Sequence, residues 1–449
     1  MREKLHVQLP LVLPAIDHPH AQELRRISER LACLADAAEL VHADLVRGIA
    51  NPATGRPGMS GEQVLRALIL KQMNDFSYEE LGFHLADSRT YRSFCRLGWG
   101  EAAPSAKTLQ RNIKRVRPET LEAVNRAVVR GAAVDDLEDG SEVRIDCTVV
   151  ETNIHAPTDS ALLSDCVRVL VRLLRRAQVM DPEIRFADHT TRAKRRAWRI
   201  QNIARRGPRR KPYEDLLKVT RKTIRSATAA IERLLLLVRN ASAEALRAEL
   251  VHFIDLARRV VDQCRRRVIL GQKVSAQDKV LSIFEPHTDI IIKDWREVLY
   301  GHKICLSAGA SGLVSDLIVE SGNPCDSTLA VGMVQRQVEI YGRPPTATAF
   351  DGGFASRPNL TELKAMGVEA VCFSKSRGIP TLEMTPSVAV YRRLRDFRAG
   401  VEGVISMLKR RFGLSRCTWR GLESFKSYAW ASALAANLLT LARRTPKAA

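Results

Sequence analysis

The sequence lacks the cysteine spacing of a zinc ribbon or of a disulfide-rich fold. Its nine cysteines are scattered singly along 449 residues, and no two form a C-x-x-C pair. A dense disulfide framework is therefore not expected, and a reducing cytosol fits this usage. No run approaches the roughly 20 apolar residues of a membrane-spanning helix, and no signal peptide is visible. These absences predict a soluble protein of the cytoplasm.

Acidic residues are few relative to basic ones. The chain has 50 Asp and Glu against 71 Lys and Arg, which gives a net charge of +21. Such an excess favours a polyanionic partner, and nucleic acid is the first candidate. The alternative is a generically basic enzyme. Hydrophobic residues make up 45% of the chain, which is enough for packed cores, and the length predicts two or three domains.

Residues 1–140 are predicted to form a helical DNA-binding domain. Capping-box patterns at residues 60–63 and 77–80 each open a short helix. A third helix is predicted to begin near Ser105, and its sequence combines an apolar face with a basic one. The basic face carries Lys107, Arg111 and Lys114. This arrangement is typical of a helix-turn-helix whose last helix enters a major groove, although a solvated basic face is the alternative.

Residues 161–285 are predicted to be a helical insertion. Apolar residues recur every seven positions from Leu217, and a second apolar series follows Asn240, which indicates a coiled-coil hairpin over 213–267. The segment from Arg192 to Arg225 holds 14 Lys and Arg against two acids. Contact with DNA phosphates is favoured over a merely solvated surface. The candidates are Arg195, Arg196, Arg199, Arg205, Arg206, Arg209 and Arg210.

Strand-like runs flank this insertion, at 141–160 and again from 286 to the end. Because strands come first in a run and then alternate with helices, a mixed α/β sheet is predicted. Two apolar runs end in an aspartate, Asp146 and Asp351. Each aspartate taken alone is more typical of an ordinary turn than of a metal site, and Asp294, after another apolar run, is the main rival carboxylate.

A stripe near the C-terminus combines one acid with three bases. At about 100° per helical residue, its members share a sector of roughly 60°, beside an apolar face. They are Arg395, Arg398, Glu402 and Lys409. An Arg398–Glu402 pair is commonly only a surface ion pair. With two strand-end aspartates, however, it suggests a site for two Mg²⁺ or Mn²⁺ ions acting on a phosphodiester.

These motifs resemble those of DDE transposases of bacterial insertion sequences. Residues 145–148 and 350–354 are similar to the two aspartate strands of that family. The C-terminal stripe resembles the signature Tyr-x2-Arg-x3-Glu-x6-Lys, with Arg395 in place of the tyrosine. Residues 60–116 resemble the helical region that precedes such catalytic domains. The resemblance implies a ribonuclease-H-like mixed five-stranded sheet with flanking helices, an N-terminal DNA-binding domain and an insertion after the first strand.

The resemblance also implies a set of functional residues and partners. Asp146, Asp351 and Glu402 would hold the metal ions, and the enzyme would free 3′-hydroxyls at the element's ends for attack on target DNA. Further DNA contacts are predicted at Arg395, Arg398 and Lys409. His302 and Lys303 are also candidates for DNA contact, with a polar pair on an edge strand as the alternative. The expected partners are the terminal inverted repeats, target DNA and a second copy of the chain, in the bacterial cytoplasm at the nucleoid. The predicted domains are 1–140, 141–160 with 286–449, and 161–285.

Two other interpretations are compatible with these motifs. The first is a DNA-binding protein whose catalytic domain has lost activity. The second is a ribonuclease-H-like nuclease that cleaves but does not transfer strands.

Overall fold

The chain folds as two units, the second inserted within the first. The computed structural model describes residue 4 and residues 16–54, 57–98, 100–203, 208–237, 240–293 and 297–444. The first unit comprises residues 1–153 and 301–449, and the second comprises residues 154–300. Within the described residues no helix is both long and apolar enough to cross a membrane.

Within the residues that the structure describes, seven helices precede the first strand. They are α1 (Pro19–Ala32), α2 (Ala35–Val46), α3 (Gly61–Asn74), α4 (Tyr78–Asp87), α5 (Arg89–Phe94), α6 (Ala106–Ile113) and α7 (Pro118–Val134). The capping boxes predicted for α3 and α4 are both formed, and the Ser105 side chain caps α6. These local signals were readable because the hydrogen bonds of a cap join residues only three apart. Buried side chains of these helices share one apolar core with the sheet and the last helix.

A mixed sheet lies mainly in the first unit. The strands are β1 (Glu142–Thr152), β2 (Asp289–Lys293), β3 (Glu297–Gly309), β4 (Val314–Val319), β5 (Ala347–Phe350), β6 (Ala370–Phe373) and β7 (Arg416–Cys417). β2 and the first four residues of β3 fall within the residues of the second unit. β1 pairs antiparallel with β3 and parallel with β5, β3 pairs antiparallel with β4, and β5 pairs parallel with β6.

The described sheet therefore has seven strands rather than the five predicted. Five strands follow the path β4-β3-β1-β5-β6, and β2 and β7 are additional. β7 has only two residues, which pair with the end of β1. A two-residue strand carries no periodicity of its own, so it was not readable from the sequence.

The second unit has a helical core. Its helices are α8 (Asp159–Met180), α9 (Thr190–Asn202), α10 (Arg210–Leu235) and α11 (Ala241–Cys264). The predicted hairpin corresponds to α10 and α11, but α8 and α9 also pack against α10 and share its core. The two-helix coiled coil is thus corrected to a four-helix core. The physical reason is that α8 is apolar over enough of its surface to bury Leu163, Leu170 and Leu174 completely.

The remaining helices cover the sheet. They are α12 (Ala330–Tyr341), α13 (Arg357–Ala365), α14 (Thr381–Met384), α15 (Val388–Arg411) and α16 (Leu422–Arg443). α15 is the helix predicted for the acid-and-base stripe, and its apolar residues Val404 and Leu408 are buried as expected. α16 is buried over most of its surface and packs against α3 and α7. Together α15 and the sheet position the candidate site.

Candidate active site

Two aspartates lie at the same level of neighbouring parallel strands, Asp146 within β1 and Asp351 directly after β5. The parallel pairing of β1 with β5 ends at Ile145 opposite Phe350, and the next residues are Asp146 and Asp351. The fold thus places side by side two carboxylates that are far apart in sequence. Asp146 does not end its strand, contrary to the prediction, because β1 continues to Thr152 by keeping its pairing with β3 after β5 has ended.

The Asp351 carboxylate is held by its surroundings. Its Oδ1 accepts a hydrogen bond of 3.0 Å from the Ser374 hydroxyl, and the backbone N–H groups of Gly352 and Gly353 also bond to the carboxylate. Sequence reasoning missed Ser374. The signal was available, since Ser374 follows β6 directly as Asp351 follows β5, and the ends of adjacent parallel strands meet at one edge of a sheet.

Helix α15 brings one arginine into contact with all three predicted acids. The Nη2 atom of Arg398 lies 2.7 Å from Oδ2 of Asp146 and 3.6 Å from Oδ1 of Asp351, while its Nη1 lies 2.9 Å from Oε1 of Glu402. The Arg398 Nε is buried and has no hydrogen-bond partner within the described residues. Three carboxylates from distant parts of the chain therefore converge on a single guanidinium group.

The two aspartates have opposite electrostatic environments. Burial raises the pKa of Asp146, an effect that Arg398 and the Cys147 N–H oppose and that the charge of Asp351 reinforces. Burial also acts to raise the pKa of Asp351, but the Gly352 N–H, the Ser374 hydroxyl and Arg398 outweigh it, so this pKa is lowered. Asp351 therefore keeps its negative charge readily. A nearby cation is needed to hold the full charge of both.

A close contact between β1 and α15 fixes the position of this helix on the sheet. The Arg144 guanidinium donates a 3.1 Å hydrogen bond to the Phe397 carbonyl and lies over the Phe397 ring. It fits because Gly400 has no side chain: a Cβ there would lie 1.8 Å from Nη1 of Arg144. The glycine is thus required two residues before Glu402.

We expect Gly400→Ala to displace Arg144 and to shift the turn of α15 that carries Arg398 and Glu402. Overpacking of this kind costs roughly 1–3 kcal/mol. Gly403→Ala on the same helix is the matched control, because a Cβ at Gly403 would meet nothing within 4 Å. That change should stabilise the protein by about 0.5–1 kcal/mol. Denaturant unfolding of both variants measures this, and equal stabilities would contradict the packing described.

The donor set of this cluster fits a hard divalent cation, since all three side chains offer carboxylate oxygens. Among the residues that the structure describes, however, no three acidic, histidine or cysteine side chains are already arranged around a metal position. The positive guanidinium of Arg398 lies among the acids instead, and the Glu402 side chain is 66% exposed. Binding of one cation by all three acids would require Glu402 to turn away from Arg398.

Comparison with protein families gives two matches. The family described as "Transposase domain (DUF772)" matches residues 17–115, and the family described as "Transposase DDE domain" matches residues 295–438. Together these segments are more than half of the chain. The chain belongs to the DDE transposases of insertion sequences. It is accordingly an enzyme that cleaves DNA and transfers strands, and its DDE domain implies a ribonuclease-H-like fold. Comparisons with curated proteins and with solved structures found no match.

The structure contradicts the DNA contact predicted for His302, whereas the contact predicted for Lys303 stays a prediction. His302 is completely buried, packs against the Phe425 ring and bonds to the Glu320 carbonyl. The Lys303 ammonium donates to the Asp326 carboxylate, and its side chain is only 13% exposed. Their polarity suggested a DNA-facing pair, but α16 covers His302, and Lys303 forms an ion pair.

The other members of the α15 stripe lie outside the contacts described for the acids. Arg395 is exposed and has its nearest acid, Asp396, at 3.8 Å. Lys409 lies in the last turn of the helix, where its carbonyl accepts a hydrogen bond from Ser415. Their contact with DNA stays a prediction.

The predicted basic residues of the insertion differ from one another in the structure. Arg196 pairs with Asp215 at 2.6 Å, Arg210 pairs with Glu214 at 2.9 Å, and Arg209 donates to the Ile203 carbonyl. The side chains of Arg195 and Arg199 are exposed and have no hydrogen-bond or ion-pair partner among the described residues. Arg205 and Arg206, like the rival Asp294, lie outside the described residues.

Proposed function

We propose that this transposase cleaves DNA at the terminal inverted repeats of its element and joins the freed 3′-hydroxyl to target DNA. Asp146, Asp351 and Glu402 would hold two divalent cations, Mg²⁺ or Mn²⁺. The observation that carries this proposal is the convergence of the three carboxylates on Arg398. Such a cluster of negative charge, beside helices of a strongly basic chain, suits a cation-assisted reaction on a phosphodiester.

Each residue of the cluster has a distinct part in this proposal. Asp146 and Asp351 form the rigid side of the site, since the sheet fixes their backbones and Ser374 orients one carboxylate. Glu402 forms the adjustable side, because its side chain is exposed. Bound cations would supply positive charge to the developing oxyanions and ease deprotonation of the attacking hydroxyl. Arg398, released from the acids, would grip a phosphate oxygen with its parallel N–H donors.

A cleavage assay on a duplex that carries the element's terminal repeat tests the proposal. The transposase should nick this duplex with Mg²⁺ or Mn²⁺ and not with EDTA. The products should then join through their 3′-ends to an unrelated plasmid. Nicking without joining would favour a nuclease without strand transfer, and binding without nicking would contradict the catalytic assignment.

We further propose that α6 reads DNA. Lys107 and Arg111 are exposed on this helix, opposite its buried residues Leu109 and Ile113. α6 packs against α4, as the second helix of a helix-turn-helix packs against the first.

Arg111→Ala should weaken binding to the terminal repeat by roughly 1–3 kcal/mol if the side chain contacts a base edge. Arg25→Ala, which removes an exposed arginine of α1, is the control and should change affinity much less. Fluorescence anisotropy at physiological salt measures both. Equal affinities of the two variants would assign the basic face of α6 to solvent.

The two ends of an element must be cut and joined together, so we propose that two copies of the chain act as a dimer on paired ends. Analytical ultracentrifugation of the transposase with and without terminal-repeat DNA measures this. A complex holding a single copy at saturation would contradict it.

A further inference from the structure

A cleft lined by arginines lies in the second unit, between α10 and α11. Its volume is about 680 Å³, and Ile224 and Val261 form part of its apolar lining. α10 contributes Arg221 and Arg225, α11 contributes Arg258, and Arg265 follows the end of α11 directly. All four are exposed. The cleft is distinct from the acidic cluster, which belongs to the first unit.

These four arginines differ from most others in the same unit. Arg176 pairs with Glu249, Arg233 with Asp181, and Arg267 with Asp159. In contrast, the side chains of the cleft arginines have no hydrogen-bond or ion-pair partner among the residues described. No ion pair within the described residues therefore neutralises their positive charge.

The arrangement is unfavourable for the isolated helices. Arg221 and Arg225 are four residues apart on α10, where like charges destabilise a helix. Two acids, Glu232 and Asp262, also line the cleft. Asp262 lies 3.8 Å from Arg266, which is not one of the four cleft arginines. Glu232 has no ion-pair partner among the described residues. A bound polyanion would relieve the repulsion among the arginines.

We propose that this cleft binds the phosphate backbone of double-stranded DNA without reading its sequence. The proposal rests on DNA being the substrate of the proposed function. Guanidinium groups grip phosphate oxygens with paired donors, and phosphate contacts carry no sequence information. The second unit has 31 Lys and Arg against 17 Asp and Glu within residues 154–300, so its overall field also attracts a polyanion.

The test compares two fourfold variants of the full chain that lose the same charge. One combines Arg221→Gln, Arg225→Gln, Arg258→Gln and Arg265→Gln. The control combines Arg172→Gln, Arg185→Gln, Arg247→Gln and Arg259→Gln, which lie outside the cleft and also lack described partners. Binding to a duplex of unrelated sequence is measured with EDTA over a range of salt concentrations.

The cleft variant should lose about 0.9 units of the log–log salt slope for each phosphate contact removed, and the control should lose much less. Equal slopes for the two variants would overturn the proposal. If the cleft variant lost salt slope with the terminal repeat but not with a duplex of unrelated sequence, the cleft would read sequence, contrary to the proposal. The binding assay contains EDTA, so no cleavage takes place in it. If the wild-type enzyme failed to nick DNA with Mg²⁺, that failure would contradict the proposed function, but the salt slopes measured here would still test the cleft.

A separate observation concerns the loop that follows β6. Lys375 comes directly after Ser374, which bonds to Asp351, and its Cβ would lie 2.7 Å from a Cβ placed at Gly352. Lys375 is exposed and has no described hydrogen-bond or ion-pair partner. The absence of a side chain at Gly352 lets this lysine pack beside the acidic cluster. We infer that its ammonium group binds a phosphate of the DNA strand entering the site, which deepens the proposed function.

Lys375→Ala keeps the Cβ that contacts Gly352 and removes only the ammonium group. Placed in a chain that also carries Asp351→Asn, so that no cleavage intervenes, it should lower the log–log salt slope of terminal-repeat binding by about 0.9. Lys375→Arg should restore the slope. An unchanged slope for the alanine variant, or no restoration by arginine, would overturn the inference. Both readouts are independent of whether wild-type transposase nicks DNA.

Discussion

Asp351→Asn should abolish nicking of the terminal repeat while DNA binding persists. Asparagine has nearly the same shape and keeps an oxygen that accepts the Ser374 hydrogen bond, so the fold should be unchanged. The substitution removes a full negative charge from the cluster, and with it one of the three proposed cation ligands. Loss of an outer-shell partner typically costs 10–100-fold, and loss of a ligand should exceed about 100-fold. Single-turnover nicking and anisotropy measure the two properties.

Asp396→Asn is the matched control for this change. Asp396 lies on α15 and is 76% exposed, and its one ion-pair partner among the described residues is Arg395, at 3.8 Å. The same chemical substitution there should leave nicking within a few-fold of wild type. Unchanged nicking by Asp351→Asn would remove Asp351 from the site, and equal losses in both variants would show that the assay reports general charge effects.

Arg398→Ala should destabilise the protein strongly when divalent cations are absent. The change leaves Asp146, whose side chain is only 14% exposed, beside Asp351 with no cation between them. Removing one partner of a buried pair costs about 3–5 kcal/mol, and the lower end applies because Glu402 is solvated. Added Mg²⁺ should restore stability by mass action, by about 2.7 kcal/mol at a concentration 100 times its Kd. The rise in Tm with Mg²⁺ should thus be larger in the variant than in wild type.

Arg392→Ala provides the comparison on the same helix. Arg392 is exposed and has no described ion-pair partner, so its loss should change neither Tm nor the response to Mg²⁺. If Arg398→Ala unfolds at the wild-type temperature without Mg²⁺, the guanidinium does not act as a counter-ion to the acids. A Mg²⁺ response no larger than that of wild type would separate Arg398 from the cation site.

The features that sequence reasoning predicted correctly depend on neighbours along the chain. The caps of α3, α4 and α6 formed as expected because each joins residues three apart. α15 formed because its apolar residues recur at helical spacing, with a polar stripe beside them. The family was recognised from short motifs, which can be identified in the sequence without any knowledge of packing.

The features that were missed or wrong depend on distant contacts. The hydrogen bond of Ser374 to Asp351 exists only because β6 pairs with β5. His302 was predicted to contact DNA, but in the structure Phe425 of α16 packs against it and buries it. The four-helix core of the second unit was missed because the apolar series of α10 and α11 fits a two-helix hairpin equally well.

The sequence by itself determined a basic chain with two strand-borne aspartates, a glutamate-bearing helix and a long helical insertion, and those properties follow from composition and from spacings within single elements. The transposase family came from the resemblance of these motifs to those of the DDE transposases. Only the tertiary structure decided that Asp146 and Asp351 stand at one level of neighbouring strands and that Arg398 reaches both of them and Glu402. Strand register and the seating of a helix are set by the packing of residues hundreds of positions apart, and no local pattern specifies that packing.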